Sequence, residues 1–166
     1  MVPWQSGSPI SLPSPPTSFE RQADVSAAWL FGSLARGAAG PLSDVDLAVV
    51  LSGPTELQAR RRDALCADLM GALHRDDADL VLFGMGSPLL RHRVIRDGVL
   101  LLARDPRQLS RLATAAVIEY LDTAPLRAAL RFELNRSLAE GRFGQLPDVK
   151  KAIQPVWSSA SGSRGT

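Results

Sequence analysis

Cysteine is almost missing from this 166-residue chain. Cys66 stands alone, which excludes an internal disulfide framework and a cysteine metal cluster and suits a reducing compartment. Lysine is nearly missing too: Lys150 and Lys151 are the only two, so the positive charge rests on arginine. Arginine's planar fork suits phosphates and carboxylates, although a GC-rich genome produces the same bias. A formal net charge of +2 is too small to point to nucleic acid or a membrane surface by itself. No stretch approaches the ~18 apolar residues of a membrane span. Residues 1–18 lack the basic start and apolar core of a secretory signal. A cytoplasmic location without membrane or direct nucleic-acid binding is therefore expected. His74 and His92, the only histidines, have no second histidine at ligand spacing and are expected to be structural or solvent-facing.

What the chain does contain fits one ordinary globular domain, with 45% apolar and 22% charged residues. Residues 1–20 carry five prolines and five serines and read as a flexible leader. Val25, Ala27, Trp29 and Phe31 alternate with smaller residues, as in a strand. Ser33 is placed to cap a short helical turn through Arg36, ended by Gly37. Asp44 to Leu51 reads as a second strand, apolar on both faces after its aspartates, as in a covered sheet. A helix from Thr55 to about Leu73 follows, with Leu57, Ala64, Leu65, Leu69 and Leu73 at helical spacing. Asp79–Phe83 reads as a third strand, Pro88–Arg96 as a helix stopped at Gly98, and Val99–Ala103 as a fourth strand. Asp105-Pro106 is a strong helix start. A last helix begins near Pro125, carries Leu126, Leu130, Leu134 and Leu138 on one stripe, and stops at Gly141.

The informative composite is Gly32-Ser33 at the end of the first strand, followed by Asp44-Val45-Asp46 at the start of the second. Side chains two apart on a strand point the same way, ~6.6 Å apart along it, so Asp44 and Asp46 can converge on cations above one face. Magnesium favours one or two carboxylates with phosphate oxygens and water, and paired ions stabilise both attacking and leaving oxygens. Gly32 lets the backbone approach a phosphate. Ser33 offers a hydroxyl and helix-start amides, and Arg36 a charged fork for a triphosphate. Asp76, Asp77 and Asp79 compete to be a third carboxylate. Asp79 is preferred because it directly precedes the apolar run Leu80–Phe83. Three carboxylates on one face repel by roughly 3 kcal/mol per pair at ~6 Å and an effective dielectric of ~20. A fold that held no cation would gain nothing for that cost.

The segments Leu30-Phe31-Gly32-Ser33-Leu34-Ala35-Arg36-Gly37 and Ser43-Asp44-Val45-Asp46-Leu47 resemble the signature of the DNA polymerase β-like nucleotidyltransferases. The similarity is greatest to their minimal nucleotidyltransferase (MNT) branch, the antitoxins paired with HEPN-domain toxins. Asp79–Leu82, Ser87–Leu90, the Gly98 break and Tyr120-Leu121-Asp122 extend it over about residues 24–122. The resemblance implies an α/β fold of the α+β type, with a mixed sheet of about four strands packed with helices, to which this chain's own pattern adds C-terminal helices. With the composition of the two ends, this places a nucleotidyltransferase domain with C-terminal helices over residues 21–145, between the leader at 1–20 and a flexible tail at 146–166. The resemblance also implies transfer of AMP from ATP to a tyrosine hydroxyl of a cognate HEPN-type toxin, in a hetero-oligomer with that toxin. By matching position, nucleotide binding falls to Gly32 and Ser33, magnesium (two ions) to Asp44 and Asp46, and the third acidic place to Asp79. Arg36 is added from its own chemistry.

Two features depart from that branch: the first strand follows a Pro/Ser-rich stretch rather than a helix, and the chain extends beyond the minimal core. The pattern R-x-x-x-x-H of the HEPN nucleases is absent, since Leu69 and Ser87 stand where its arginine would be. Arg91, Arg93 and Arg96 are expected on a solvated helix face, or against a triphosphate tail or a partner. Two other readings stay open at this point. One is transfer to a small molecule such as an aminoglycoside, which would call for a larger acceptor domain. The other is a non-catalytic antitoxin that neutralises its toxin by binding.

Overall fold

The computed structural model describes residues 15–40 and 43–141. The chain divides into two compact units, Met1–Val117 and Ile118–Thr166. The boundary falls inside a helix that the sequence assigned to one continuous domain.

In the first unit the order is α1 (Pro15–Glu20), β1 (Val25–Phe31), α2 (Gly32–Ala35), β2 (Val45–Leu51), α3 (Thr55–Leu73) and β3 (Ala78–Leu82). A 3₁₀ turn (Phe83–Met85), α4 (Pro88–Asp97), β4 (Val99–Ala103) and the start of α5 (Pro106–Asp122) follow. The four strands form one mixed sheet in the order β3-β2-β1-β4. β1 is antiparallel to both β2 and β4, while β2 and β3 run parallel. A parallel pair needs a crossover, and the 19-residue α3 provides it.

The sheet is covered on both faces, as the apolar run of β2 anticipated. Val45, Leu47, Val49 and Leu51 pack with Leu65, Leu69 and Leu73 of α3 and with Phe19 of α1. On the other face Ala48, Trp29 and Phe83 pack with Val94 of α4 and Ala116 of α5. Trp29 and Phe83 stack with centroids 5.1 Å apart. Strand residues normally alternate between faces, yet Val25 and Ala27 lie in opposite clusters. A register irregularity between them in the β1–β2 pairing accounts for this, because one extra residue flips the alternation.

Two expectations are corrected here. Pro15–Glu20 is helix, not part of a flexible leader, and its Phe19 is fully buried. Residues 1–14 and the expected tail from 146 lie outside the described residues. Along α3, Leu65, Leu69 and Leu73 are buried, but Leu57 and Ala64 face solvent. In the other unit the C-terminal part of α5 leads into α6 (Ala124–Ala139). There Arg127 lies over the Tyr120 ring, 3.8 Å from its centroid. Of the stripe seen in the sequence, Leu130 is half-buried, while Leu126, Leu134 and Leu138 are exposed, as is Phe132.

Candidate functional site

β1 ends at Phe31, and the chain turns at once into α2. Gly32 makes that turn with φ +76°, a left-handed conformation that L side chains rarely adopt. Ser33 lies inside α2 and does not cap it, contrary to expectation: Phe31 holds the cap position and no side chain closes it. The Ser33 carbonyl instead accepts from the Ala38 N–H at 3.0 Å, and Gly37 ends the turn with φ +67°. Arg36 is exposed at the end of α2.

The aspartates enter from the neighbouring strands. Asp46 is the second residue of β2 and pairs across the sheet with Phe31 on one side and with Asp79 on the other. Asp46 shares its face with Ala48, and Asp79 shares its face with Val81; both belong to the α4–α5 side. Paired residues of adjacent strands stand ~4.8 Å apart, so the two carboxylates emerge side by side. Asp44 lies just before β2 and is exposed.

The carboxylates act on one another. Burial first, then the charges of Asp79 and Asp44, push the Asp46 carboxyl above its ordinary 3.8, and only the Arg36 guanidinium pulls it down. Residues chosen from the sequence for metal and nucleotide binding thus share one electrostatic neighbourhood. The Gly32 backbone closes its side: a Cβ there would fall 1.9 Å from Asp46 Oδ2. Among the described residues, no three His, Cys, Asp or Glu side chains already stand together as a complete metal-binding group. Asp46 and Asp79 nevertheless fit magnesium. That ion needs only one or two carboxylates when phosphate oxygens and water complete its shell.

The rival third acids are occupied or apart. Asp77 is held by Arg75, whose Nε donates to its Oδ1 at 2.7 Å, and this pairing keeps the Asp77 carboxyl below its usual range. Asp76 is exposed in the turn before β3. His74 ends α3 in a left-handed conformation, a structural position as expected.

A family model described as polymerase beta, nucleotidyltransferase, matches residues 17–107. The chain belongs to this nucleotidyltransferase family. Among solved structures, a toxin–antitoxin crystal structure with AMP-PNP is similar at TM-score 0.61 and 23% identity, over 72% of this chain and 98% of that one. A tri-AMPylated Shewanella oneidensis HEPN toxin in complex with MNT antitoxin matches at TM-score 0.53 and 24% identity, over 68% and 84%. A MntA–HepT toxin–antitoxin complex matches at TM-score 0.54 and 23% identity, over 70% and 88%. These likenesses show the shared nucleotidyltransferase fold. No curated protein matches the chain. The family match begins at residue 17, inside α1, in keeping with Phe19 as part of the core.

Gly98 is legible in the sequence only as a helix stop, and Arg75 hardly at all. Gly98 sits where a Cβ would fall 2.3 Å from the Val94 carbonyl oxygen and 3.3 Å from that of Leu30, so it lets the end of α4 close on β1. Arg75 offered only an Arg-x-Asp spacing ahead of the third strand. Its contacts depend on the chain's path.

Proposed function

We propose that this nucleotidyltransferase is a magnesium-dependent antitoxin that transfers AMP from ATP to a tyrosine hydroxyl of a cognate HEPN-type toxin. The observation that carries the reading is Asp46 in register with Asp79, beside the Gly32 turn, with the Asp46 carboxyl pushed up by burial and then by the charges of Asp79 and Asp44. Acid groups crowded in this way, offset only in part by Arg36, are a cost to the fold that bound cations would relieve. The likeness to complexes of HEPN toxin with MNT antitoxin, one of them tri-AMPylated, supports the toxin as acceptor. The AMP-PNP complex supports an adenine nucleotide as donor.

Asp44, Asp46 and Asp79 would hold the magnesium, two ions in this reading, which when bound neutralises triphosphate charge and polarises the α-phosphate. Gly32 has no Cβ and so makes room for the Asp46 carboxylate against the turn where the triphosphate would lie. Ser33 and the first amides of α2 offer hydrogen-bond donors to the triphosphate tail, and Arg36 adds a cation. The tyrosine oxygen forms a bond to the α-phosphorus while the bond from that phosphorus to the α,β-bridging oxygen breaks. Asp79, exposed at the strand edge, takes the phenolic proton, and pyrophosphate leaves with the electron pair. The proposed setting is a cytoplasmic hetero-oligomer with the toxin. Among the described residues no helix is long and apolar enough to cross a membrane.

The test is incubation of the chain and its co-purified toxin with α-labelled ATP and magnesium, followed by intact-mass analysis. The toxin should gain label and the mass of AMP on a tyrosine. Label on an aminoglycoside instead, or neutralisation of the toxin by an Asp44→Ala chain that transfers nothing, would replace this reading.

A further inference from the structure

The turn between α3 and β3 is built around Arg75. α3 ends with the Arg75 N–H donating to the Met70 carbonyl at 3.1 Å and His74 in the left-handed conformation (φ 51°, ψ 42°). This is the reverse turn that commonly closes a helix, but it uses histidine where glycine is the easy residue. It aims the guanidinium back toward the entry of β2. Arg75 Nε donates to Asp77 Oδ1 at 2.7 Å, and Nη2 donates to Asp77 Oδ2 and, at 3.0 Å, to the Ser43 carbonyl. Asp77 in turn accepts the Val45 N–H on its own carbonyl at 2.9 Å. The residues immediately before and after Asp44 are therefore both tied to the Arg75–Asp77 pair. Asp44 itself precedes the strand and lacks the ladder that fixes Asp46.

We propose that Arg75, paired with Asp77, is a positioning residue that fixes the Asp44 carboxylate for cation binding by holding the backbone on either side of it. The inference rests on Asp44 belonging to the metal-binding set of the proposed function. Arginine is suited to this role because its fork reaches a carboxylate and a carbonyl at once. Lysine's compact ammonium lacks the planar fork for the two-point contact with the carboxylate. The pair is half-exposed, so its worth as a surface ion pair is small, and its effect should appear in the site more than in stability.

The experiment is a Mn2+ titration of the full chain, with free ion read by electron paramagnetic resonance and folding checked by circular dichroism. Removing an outer partner of a metal site typically costs 10–100-fold in affinity. Arg75→Ala and Asp77→Ala should each weaken Mn2+ binding about tenfold or more, and Arg75→Lys less. In an Asp44→Ala background, Arg75→Ala should cost nothing further, since its route runs through Asp44. A folded Arg75→Ala chain that binds Mn2+ like the wild type would overturn the inference, as would an equal loss with Asp44 already removed. If Arg75→Ala does not fold, Arg75→Lys and Asp77→Ala decide by the same comparison. The two readings separate cleanly. A wild-type chain that binds Mn2+ through this pair but labels no toxin defeats the proposed function alone. A chain that labels the toxin while these variants bind Mn2+ normally defeats only the positioning role.

Discussion

The Cβ that any substitution would place on Gly32 lies 1.9 Å from the Oδ2 of Asp46. One atom is therefore excluded by the carboxylate that the next strand brings alongside. The positive φ at Gly32 adds a second, independent reason for glycine.

Gly32→Ala should accordingly damage the site more than the fold. The left-handed conformation costs an L residue roughly 1–2 kcal/mol, a shift that thermal unfolding would register. To make room, the Asp46 carboxylate must swing away, so AMP transfer should fall about as far as in Asp46→Ala. Comparing the two variants in the labelling assay checks this. A Gly32→Ala chain with near-normal transfer would show that Asp46 is free to move.

Asp46→Asn should separate stability from activity. The folded-state carboxyl is raised above 3.8 by burial, Asp79 and Asp44. Its contribution to stability is thus fully present below that pH and is lost as pH rises through the raised value. Without divalent ions, Asp46→Asn should match the wild type at low pH and become relatively more stable as pH climbs above 3.8. Transfer should drop beyond the ~10–100-fold that loss of an outer-shell partner brings. Melting curves across pH without divalent ions read the first effect, and the labelling assay reads the second.

Phe19→Ala tests whether α1 belongs to the core. Phe19 is fully buried against the cluster of β1, β2 and α3, and large-to-small changes at such sites cost about 3–5 kcal/mol. Denaturant unfolding of the variant should show a loss of that size. A loss under ~1 kcal/mol would mean that the helix is an appendage.

Arg61 joins α3 to the entry of β1. Its Nε donates to Asp24 at 2.5 Å and its Nη2 to Gln22 at 2.6 Å, with both charged side chains about one-third exposed. Arg61→Ala should cost up to about 1 kcal/mol after solvent screening. The hydrogen bond from Arg61 lowers the Asp24 carboxyl below 3.8. The pair's contribution is present above that pH and fades as pH falls through the lowered value. The wild-type and variant melting temperatures should therefore converge in acid, as measured calorimetrically.

Local pattern alone determined much of this protein. Alternation in Val25–Phe31, the apolar run after Asp46 and the start at Asp105-Pro106 placed elements that the structure contains, because side-chain periodicity and cap chemistry act within a few residues. The Gly-Ser and Asp-x-Asp segments pointed to the family for the same reason. Its place ahead of an apolar run already favours Asp79 in the sequence, but only tertiary structure sets it opposite Asp46 by parallel register and engages Asp77 with Arg75. It also decided that Phe19 is core and that Leu57 and Leu134 face solvent. Burial and pairing depend on what the rest of the chain brings alongside, and neighbours distant in sequence leave no periodic trace in it.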